Sequence, residues 1–587
     1  MPTLADLRYA IRRRTRRARF VAEDVAYAVR RRTWAMPNGP LERWSGLPQR
    51  TRQLILAGSA AVVVVVVIAV VAVPNLPCQA PGGDECAPPD DAIELVPGDT
   101  LAYLHADTDP DSQQYENVAA LAERLPKLTD QLIDRLPGPT GGTFSYRREV
   151  APWLGDEAAV AVIPVRSSHQ EVATLLEIGD EEGASRFVRD LTGGEQRAES
   201  YRGYELGTRG GLTLATAGDF VIAGPDAAVK RVVDTDAGGR TLADSEAADE
   251  VRDALADLRL AELVVSEQGA AELLAPGGSL APFEAFVNAR ATLGAGAALV
   301  ATEDGFELEI HSVLDPERVA NAPGFFAAFP SFEPALEGSV SEGALAYLAL
   351  GDPEQSLAGL LSQASAEAPG IAAGFERVAE RLRRSGNVNL EQDILPLFTS
   401  QAAVTVEPSV GGSDAVVSGV PFVSLIVEEV DAEAATKALS ELQPPLAKAL
   451  EPQRGLQAPV FKEQEIEGVR VQSLRISPTV ELAYAIVDGK LVLSTDPAGV
   501  RQVASGSSSL EDSERFAQAT DDLPDEVSAL LYLNLSGLLG VAEQAGLGED
   551  PAYALFSGEL RKLEGLAVAV ERPEDAIDTK IRVTIGE

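Results

Sequence analysis

Three aspartates at alternate positions, Asp107, Asp109 and Asp111, have the spacing with which a calcium-binding loop opens. Such a loop also needs glycine at its sixth position and a bidentate glutamate at its twelfth. Those positions hold Ser112 and Val118 in this chain. The mismatch favours another interpretation, in which Asp109 or Asp111 caps the helix that is predicted to follow. The sequence therefore predicts no metal site here.

The chain has three histidines, His105, His169 and His311, which are far apart and share no ligand spacing. A zinc site needs about four converging ligands. We therefore interpret the three as isolated strand or surface residues, with His169 in a predicted hairpin turn. The sequence predicts no cofactor.

A nucleophilic serine would be expected in a G-x-S-x-G turn. Gly506 does precede the serines at 507–509, but Leu510 stands where the second glycine should be. The glycine pairs of the chain lack the Lys-Ser/Thr of a phosphate-binding loop, and we interpret them as turns. These patterns predict a protein that is not an enzyme, with a hydrolase of scattered catalytic residues as the least favoured alternative.

The two cysteines, Cys78 and Cys86, lie close together in a Pro/Gly-rich stretch. No histidine is near them, so a metal site is disfavoured. They are candidates for a short disulfide loop outside the membrane.

The stretch Leu54 to Val73 holds twenty residues without a charge, the length that a transmembrane helix needs. The 53 residues before it carry thirteen arginines and four acids, a net charge of +9. Since the whole chain is at −41, the part beyond the span is at −50. Basic flanks stay inside, so this pattern predicts a cytoplasmic N-terminus and a large extracytoplasmic part in the cell membrane. A cleaved signal peptide is disfavoured because the apolar run is long and far from the N-terminus.

The leader, residues 1–53, contains a predicted basic amphipathic helix from Thr3 to Trp34. Such a helix is typical of contact with anionic lipid headgroups. A plain topology signal and a cytoplasmic partner remain alternatives. The acidic outer part argues against nucleic acid as a partner, because phosphate binding needs clustered Lys and Arg.

Beyond the span, the chain shows an internal duplication. Blocks such as 101–104 and 345–348 match at an offset of 244, as do 158–160 and 402–404, and further blocks follow in the same order. Each copy alternates short strands, hairpin turns and helices. The predicted fold class is α+β: a single N-terminal transmembrane helix, then two similar domains of mainly antiparallel sheet with packed helices. The predicted divisions are a leader 1–53, a span 54–73, a tether 74–91, copy one 92–320, a linker 321–338 and copy two 339–587.

Two motifs connect the chain with a known family. They are Val96-Pro97-Gly98-Asp99-Thr100-Leu101-Ala102-Tyr103 with Asp109-Pro110, and Pro152-Trp153-Leu154-Gly155-Asp156-Glu157-Ala158-Ala159-Val160-Ala161-Val162. Through them, residues 92 to 587 resemble the bacterial membrane-anchored proteins grouped as domain of unknown function 3352. The resemblance implies an envelope protein with one N-terminal span, and it implies no reaction. Copy two has Leu397, Phe398, Thr399 and Ser400 where copy one has residues 153–156, so a function of that motif would belong to copy one.

These observations predict a single-pass envelope protein with a duplicated extracytoplasmic module that binds or scaffolds. Its expected partners are membrane lipids, through the anchor and leader, and an unknown protein or apolar ligand outside. The alternative is a carrier or sensor of an apolar or lipid-like ligand, with Phe325, Phe326, Phe329 and Phe332 as a gate. The same phenylalanines would otherwise pack the joint between the copies, which we favour because large exposed apolar patches are rare.

Overall fold

The computed structural model describes residues 88–134, 146–166, 169–192, 198–274, 278–280, 287–321, 329–353, 355–356, 379–380, 383–384, 389, 400–408, 421–428, 430–449, 459–477, 480–573 and 575–587. The leader, the predicted span, most of the tether and both cysteines lie outside these residues. Within the described ranges, no helix has the length and apolar character needed to cross a bilayer.

The first half of the described chain contains ten strands. They are β1 (Ala102–Asp107), β2 (Leu154–Arg166), β3 (His169–Ile178), β4 (Ala198–Tyr201), β5 (Tyr204–Arg209), β6 (Leu212–Ala217), β7 (Phe220–Gly224), β8 (Ala261–Ser266), β9 (Thr292–Ala301) and β10 (Gly305–Leu314).

The second half also contributes ten. They are β11 (Ala346–Gly351), β12 (Gln401–Glu407), β13 (Phe422–Val427), β14 (Lys462–Ile466), β15 (Val469–Ser477), β16 (Val480–Val487), β17 (Lys490–Ser494), β18 (Ala529–Asn534), β19 (Leu563–Glu571) and β20 (Ala576–Ile585).

All these strands form one sheet in which each neighbouring pair is antiparallel. The order is β4-β5-β6-β7-β3-β2-β1-β8-β9-β10 in the first half, and β20-β19-β18-β11-β12-β13-β17-β16-β15-β14 continues it in the second. Read outward from the central β10–β20 pair, the two halves pair their strands in the same order. Each half thus presents its tenth strand to the other.

The helices lie between the strands. They are α1 (Gln113–Arg124), α2 (Pro126–Asp134), α3 (Tyr146–Glu149), α4 (Glu181–Thr192), α5 (Asp226–Asp236), α6 (Glu246–Asp253), α7 (Glu267–Leu273), α8 (Pro316–Asn321), α9 (Ala432–Ala449), α10 (Pro497–Ser505), α11 (Glu514–Thr520), α12 (Leu535–Gln544) and α13 (Pro551–Leu560).

The predicted α+β class with antiparallel sheet is confirmed. The helix predicted to follow Asp111 ends at Arg124, because Pro126 lacks the N–H that would continue the helical bonds and instead begins α2. Strand β4 was not predicted, since Ala198–Tyr201 is only four residues long and has no apolar alternation.

Several two-residue turns hold the hairpins in register. Asp488 and Gly489 both have positive φ, at 48° and 78°, and join β16 to β17. Arg202 and Gly203 do the same between β4 and β5. Positive φ at both positions matches the turn twist that antiparallel hairpins favour.

Apolar side chains pack on both faces of the sheet. In the first half, Tyr103, Ala159 and Leu175 of one face contact the apolar side of α5. The opposite face packs against α7 through a separate cluster. In the first half, α5 and α6 therefore pack on one face of the sheet and α7 packs on the other face at β8 and β9. The strands β1, β2 and β8 carry the candidate site.

The strands β10 and β20 form the seam between the two halves. On one side of this seam, the pairs that lie directly opposite each other join an acid to a base: Glu307 with Arg582, Glu309 with Lys580, and His311 with Asp578. The alternate residues on the other side, such as Leu308 and Ile581, are mostly apolar. Acidic residues stand third and basic residues seventh on both strands, so the pairing is self-complementary.

Candidate functional site

The aspartates 107, 109 and 111 form successive turns rather than a metal loop. The backbone N–H of Asp109 donates to Asp107 at 2.9 Å, and that of Asp111 donates to Asp109 at 2.9 Å. The expectation that Asp109 or Asp111 caps the helix was wrong. Ser112 caps α1, because its Oγ accepts the N–H of Tyr115 at 3.1 Å. Burial raises the pKa of Asp107 to about 6, although hydrogen bonds from Ser112 and Asp109 act to lower it.

The histidines occupy strands. His169 begins β3. The interpretation as isolated residues was wrong for His105 and His311. The Nε2 atom of His105 lies 3.1 Å from Oε2 of Glu157, and the Nδ1 atom of His311 lies 2.6 Å from Oδ1 of Asp578. These partners are 52 and 267 residues away in sequence. Sequence spacing alone could not reveal them.

One face of β1 carries Tyr103, His105 and Asp107, because alternate residues of a strand project to the same side. His105 lies directly opposite Glu262 on β8, and Asp107 lies opposite Glu157 on β2. Opposite residues also share a face. The first half therefore buries five polar side chains side by side on its central strands.

Asp90 and two arginines complete a buried ionic network. Arg252 of α6 lies 2.8 Å from Asp90 and 2.8 Å from Glu262. Arg259 forms a further ion pair with Glu262, and the hydroxyl of Tyr103 donates to Asp90. The term buried ionic network refers to the following residues: Asp90, Tyr103, His105, Glu157, Arg252, Arg259 and Glu262.

This network holds the joining segment, residues 90–92, where the predicted tether meets the sheet. The carboxylate of Glu157 accepts the backbone N–H of Asp91 at 3.1 Å and that of Ala92 at 3.4 Å. His105 in turn contacts that carboxylate. Asp90 is fixed by Tyr103 and Arg252. The start of the fold is therefore fastened to the centre of the sheet by charged groups.

The charges of the seven network residues balance when His105 is protonated, and the neighbouring Asp107 adds a further acid, whose pKa burial raises to about 6. Asp90, Glu157 and Glu262 supply three negative charges, and the two arginines supply two positive charges. Burial alone would lower the pKa of His105, but the bond to Glu157 and the neighbouring carboxylates raise it above its usual value. Protonated His105 supplies the third positive charge.

A metal ion is a poorer explanation of this cluster. Ligand atoms of Asp90, His105 and Glu262 do lie within 4.8 Å of one another. However, Arg252 contacts both carboxylates, so guanidinium groups already supply the positive charge that a cation would bring. A divalent ion would sit against two arginines, which is electrostatically unfavourable.

The second half has the same attachment with a neutral amide in place of the Glu157 carboxylate. At the offset of 244, Gln401 replaces Glu157, and its Oε1 accepts the N–H of Ala335 at 3.0 Å. Ala335 is the counterpart of Asp91. Tyr347, the counterpart of Tyr103, donates to Glu337 at 2.8 Å.

His105 and Glu262 of the network also have apolar counterparts in the second half. Ala349 stands in place of His105, and Leu530 lies opposite it on β18, in place of Glu262. The same strand pairing therefore forms with apolar residues at these two positions. The buried charges of the first half are not a requirement of this fold.

The opposite face of the same strands lines an apolar cavity of about 220 Å³. Its floor is formed by β1, β8, β9 and β10, and Leu274, Leu280 and Val287 lie across it. The side chains of the floor are Leu104, Ala261, Leu263, Val265, Ala295, Ala297, Leu299, Leu308 and Ile310. Glu262 also borders the cavity, although its carboxylate belongs to the network on the other face.

The cavity is partly open to solvent, since the lining residues Leu263, Leu299 and Leu308 are only half-buried. A ligand that covered these side chains would remove apolar surface from water, which stabilises by about 25 cal/mol per Å².

A second apolar cleft of about 280 Å³ lies in the second half, between α9 and strands β13, β16 and β17. Tyr484 lies at this cleft, where its hydroxyl accepts a bond from Gln443 at 2.6 Å. In the first half, the corresponding space beside α4 is filled by Trp153 and Phe187, whose ring centres are 5.0 Å apart. Trp153 of the family motif therefore has a packing role.

Two phenylalanines of the predicted gate lie in or beside the joint between the halves. Phe329 is buried with Leu314 of β10, Leu350 of β11 and Ile577 of β20. Phe332 exchanges backbone hydrogen bonds with Val527 at 2.8 and 2.9 Å. Phe325 and Phe326 fall outside the described residues.

Comparisons with known proteins give one family. A sequence model of the proteins of unknown function called DUF3352 matches residues 56–582. A search of curated proteins finds no match. Crystal forms I, III and IV of a protein named TP0453 match with TM-scores of 0.22, 0.23 and 0.24, at 10%, 9% and 8% identity. These matches cover 38%, 38% and 39% of this chain and 79%, 79% and 83% of the other. TM-scores this low establish neither a shared fold nor a shared function.

Proposed function

The chain belongs to the DUF3352 family of proteins of unknown function, and from this premise we propose that it is a single-pass, membrane-anchored envelope protein whose extracytoplasmic part binds or scaffolds a partner. The observation that carries the proposal is the uncharged stretch Leu54 to Val73, between a leader at +9 and a remainder at −50. A charge difference of this sign directs the basic side to the cytoplasm.

The buried ionic network supports this proposal from the other end of the tether. The joining segment follows the predicted span by fewer than twenty residues, and Glu157 and Arg252 fix it to the sheet. Because the joining segment is fixed to the sheet, movement of the tether would hardly disturb the sheet. Such an attachment suits a binding domain that is held at a membrane by a tether.

We further propose that the extracytoplasmic part is two similar domains that arose by duplication. Three observations support this: the identical strand order of the halves, the offset of 244 between Tyr103 and Tyr347, and the shared fastening of Asp91 and Ala335. The self-complementary seam of β10 and β20 is what two copies related by a twofold axis would form.

Binding is favoured over catalysis for these domains. The charged groups that converge in the first half are paired with one another and hold the backbone of the joining segment. A carrier of an apolar or lipid-like ligand is the second candidate, and the apolar cavity is the observation that favours it.

Membrane fractionation tests the anchored function. The full chain should sediment with membranes and resist a high-salt wash, whereas a variant without residues 54–73 should appear in the soluble fraction. A variant without residues 3–34 is the matched control and should remain with the membrane after the wash. A full chain that the salt wash releases, or a deletion variant that stays membrane-bound, would show that the stretch is not an anchor.

A further inference from the structure

We propose that the apolar cavity of the first half binds the hydrocarbon chain of a fatty acid or lipid, with the polar head of the ligand left outside. The proposal rests on the carrier function and names the class of its ligand. The cavity is bordered by β1, β8, β9, β10 and the segment around α7.

The chemistry of the walls selects a hydrocarbon. Among the described residues that form the cavity, every side chain pointing into it is aliphatic: leucine, isoleucine, valine or alanine. Such walls offer dispersion contacts and apolar area, and they offer no partner for a polar group. A charged or hydroxyl-bearing portion of a ligand would lose its hydration there without compensation.

The aliphatic lining also favours a flexible chain over an aromatic ring. Aromatic ligands are commonly recognised by ring-to-ring contacts, whereas the side chains here are branched and aliphatic. Leu299, Leu308 and Ile310 offer such surfaces along neighbouring strands.

The volume sets the length of chain that fits. A dry cavity of about 150 Å³ is known to hold benzene, so about 220 Å³ accommodates on the order of eight carbons. A longer acyl chain would extend beyond the cavity, and the head would therefore remain at the surface.

Cross-linking of the full chain in lipid nanodiscs tests this proposal. One sample receives a palmitic acid analogue that carries a diazirine on its chain, and a second contains a phosphatidylcholine with the same labelled chain. After irradiation, the modified peptides are mapped by mass spectrometry. We expect labelling within residues 261–314, reduced at least fivefold by excess unlabelled palmitate in the first sample. Labelling in the first sample identifies a free fatty acid as the source of the chain, and labelling in the second identifies a membrane lipid.

Two variants locate the chain in the cavity. Ala297→Phe fills the space, and Leu280→Asn places a polar group on the opposite wall with little change in volume. Both should lower labelling of residues 261–314 at least fivefold. The matched control is Leu442→Asn, which alters a half-buried leucine of the second apolar cleft and should leave that labelling unchanged. Protease resistance of each variant confirms folding, and the leucine variant keeps the test decisive if the phenylalanine does not fit.

Labelling elsewhere separates this proposal from the anchored function. Modified peptides from residues 54–73 report the membrane span, independently of the cavity. Absence of label from residues 261–314 in both samples, or label there that neither variant lowers, would overturn the cavity proposal whether or not the span is labelled.

Discussion

At the scale of single residues, the two halves attach corresponding backbone segments to the sheet through different side chains. Each half fastens its first segment to the second strand of its sheet, through Glu157 in one and Gln401 in the other. Glu157 is charged and needs His105, whereas Gln401 is neutral and has Ala349 in the corresponding position. A buried ion pair contributes little net stability compared with a neutral packing, but removing one partner leaves a costly unpaired charge.

This contrast predicts the effects of substitutions in the network. His105→Ala should lower the free energy of unfolding by about 3 to 5 kcal/mol, because Glu157 keeps its buried charge without a counterion. His105→Ala combined with Glu157→Gln reproduces the second half at these positions and should recover at least half of that loss. Urea unfolding followed by the fluorescence of Trp153 measures both. A double variant no more stable than the single one would contradict the charge-balance account.

The raised pKa of His105 gives the network a defined pH dependence. When the pKa of a base is higher in the folded than in the unfolded protein, protonation of that base stabilises the folded state. This stabilisation is complete below the unfolded-state pKa, near 6.5 for histidine, and is lost as the pH rises through the folded-state pKa. The difference in stability between the protein and the double variant should therefore shrink as the pH is raised above 6.5. A constant difference across that range would mean that His105 is not protonated in the folded protein.

Glu407 on β12 provides a second test of pH dependence, in which an acid rather than a base has a raised pKa. Burial raises its pKa to about 7, although the hydroxyl of Thr405 donates to it and acts to lower the value. Because the folded state holds its proton more tightly, stability contributed by Glu407 is lost as the pH rises from about 4.5 to about 7. Glu407→Gln should be more stable than the protein at pH 8 by about 3 kcal/mol and nearly equal to it at pH 4.

The matched control for that test is Glu465→Gln, which changes an exposed glutamate of the edge strand β14. The free energy of unfolding of Glu465→Gln should equal that of the unsubstituted protein at both pH 4 and pH 8. A Glu407→Gln variant with no gain at pH 8 would show that this carboxyl is ionised without penalty.

Which residues form the site could be predicted only in part. Tyr103 and Glu157 fall inside the two family motifs, so the sequence drew attention to them. Glu262 and Arg252 could not be selected from among 90 acidic and 49 basic residues. Their convergence depends on the pairing of β1 with both β2 and β8, which brings together residues more than 150 positions apart.

At the scale of elements, the seam explains how the halves stay in register. A slip of one residue in either direction between β10 and β20 would place Arg582 and Lys580 opposite apolar residues of β10. Arg582 makes the most contacts there, because it pairs with Glu307 and also approaches Asp304 and Asp522. Its side chain is only 6% exposed.

The seam predicts a strong effect of Arg582→Met. Loss of the guanidinium leaves the buried Glu307 with Lys580, at 3.4 Å, as its remaining cation, so the free energy of unfolding should fall by about 3 kcal/mol, the lower end of the cost of breaking a buried ion pair. The double variant Glu307→Leu with Arg582→Met removes the acid that has lost its closer partner and should recover at least half of this loss. Thermal or urea unfolding provides the comparison.

An exposed arginine provides the control for the seam. Arg318→Met removes ion pairs with Glu267 and Asp315, but the side chain is 43% exposed. Such surface pairs contribute about 1 kcal/mol or less. Equal losses from Arg582→Met and Arg318→Met would contradict a seam that depends on buried charge.

The elements themselves were predicted where their pattern is local. The strand β2 contains the apolar run 158–165, a short polar turn separates it from β3, and β6 and β7 are separated by a glycine turn, so composition and turn residues indicated these strands. The ends of α1 depend on single atoms that periodicity does not show. The Oγ of Ser112 caps its start, and the missing N–H of Pro126 prevents its continuation. The central pairing of β10 with β20 joins residues about 270 positions apart, and no local signal encodes it.

At the scale of the whole molecule, the described residues form the part of the chain that we propose to bind a partner or ligand. The twenty strands form one antiparallel sheet, with an apolar cavity and a buried ionic network on opposite faces of the same central strands in its first half. The joining segment, which follows the predicted tether, is fixed at these strands. The membrane orientation that we propose for the chain would determine which ligands the cavity can meet.

Labelling of single cysteines on intact cells tests this orientation most directly. In a background with Cys78→Ser and Cys86→Ser, one variant carries Asn38→Cys in the leader and another carries Glu463→Cys at an exposed position of β14. A membrane-impermeant maleimide should modify the Glu463→Cys variant on intact cells and should reach the Asn38→Cys variant only after lysis. Modification of the leader cysteine on intact cells, with protection of the β14 cysteine, would contradict the proposed topology.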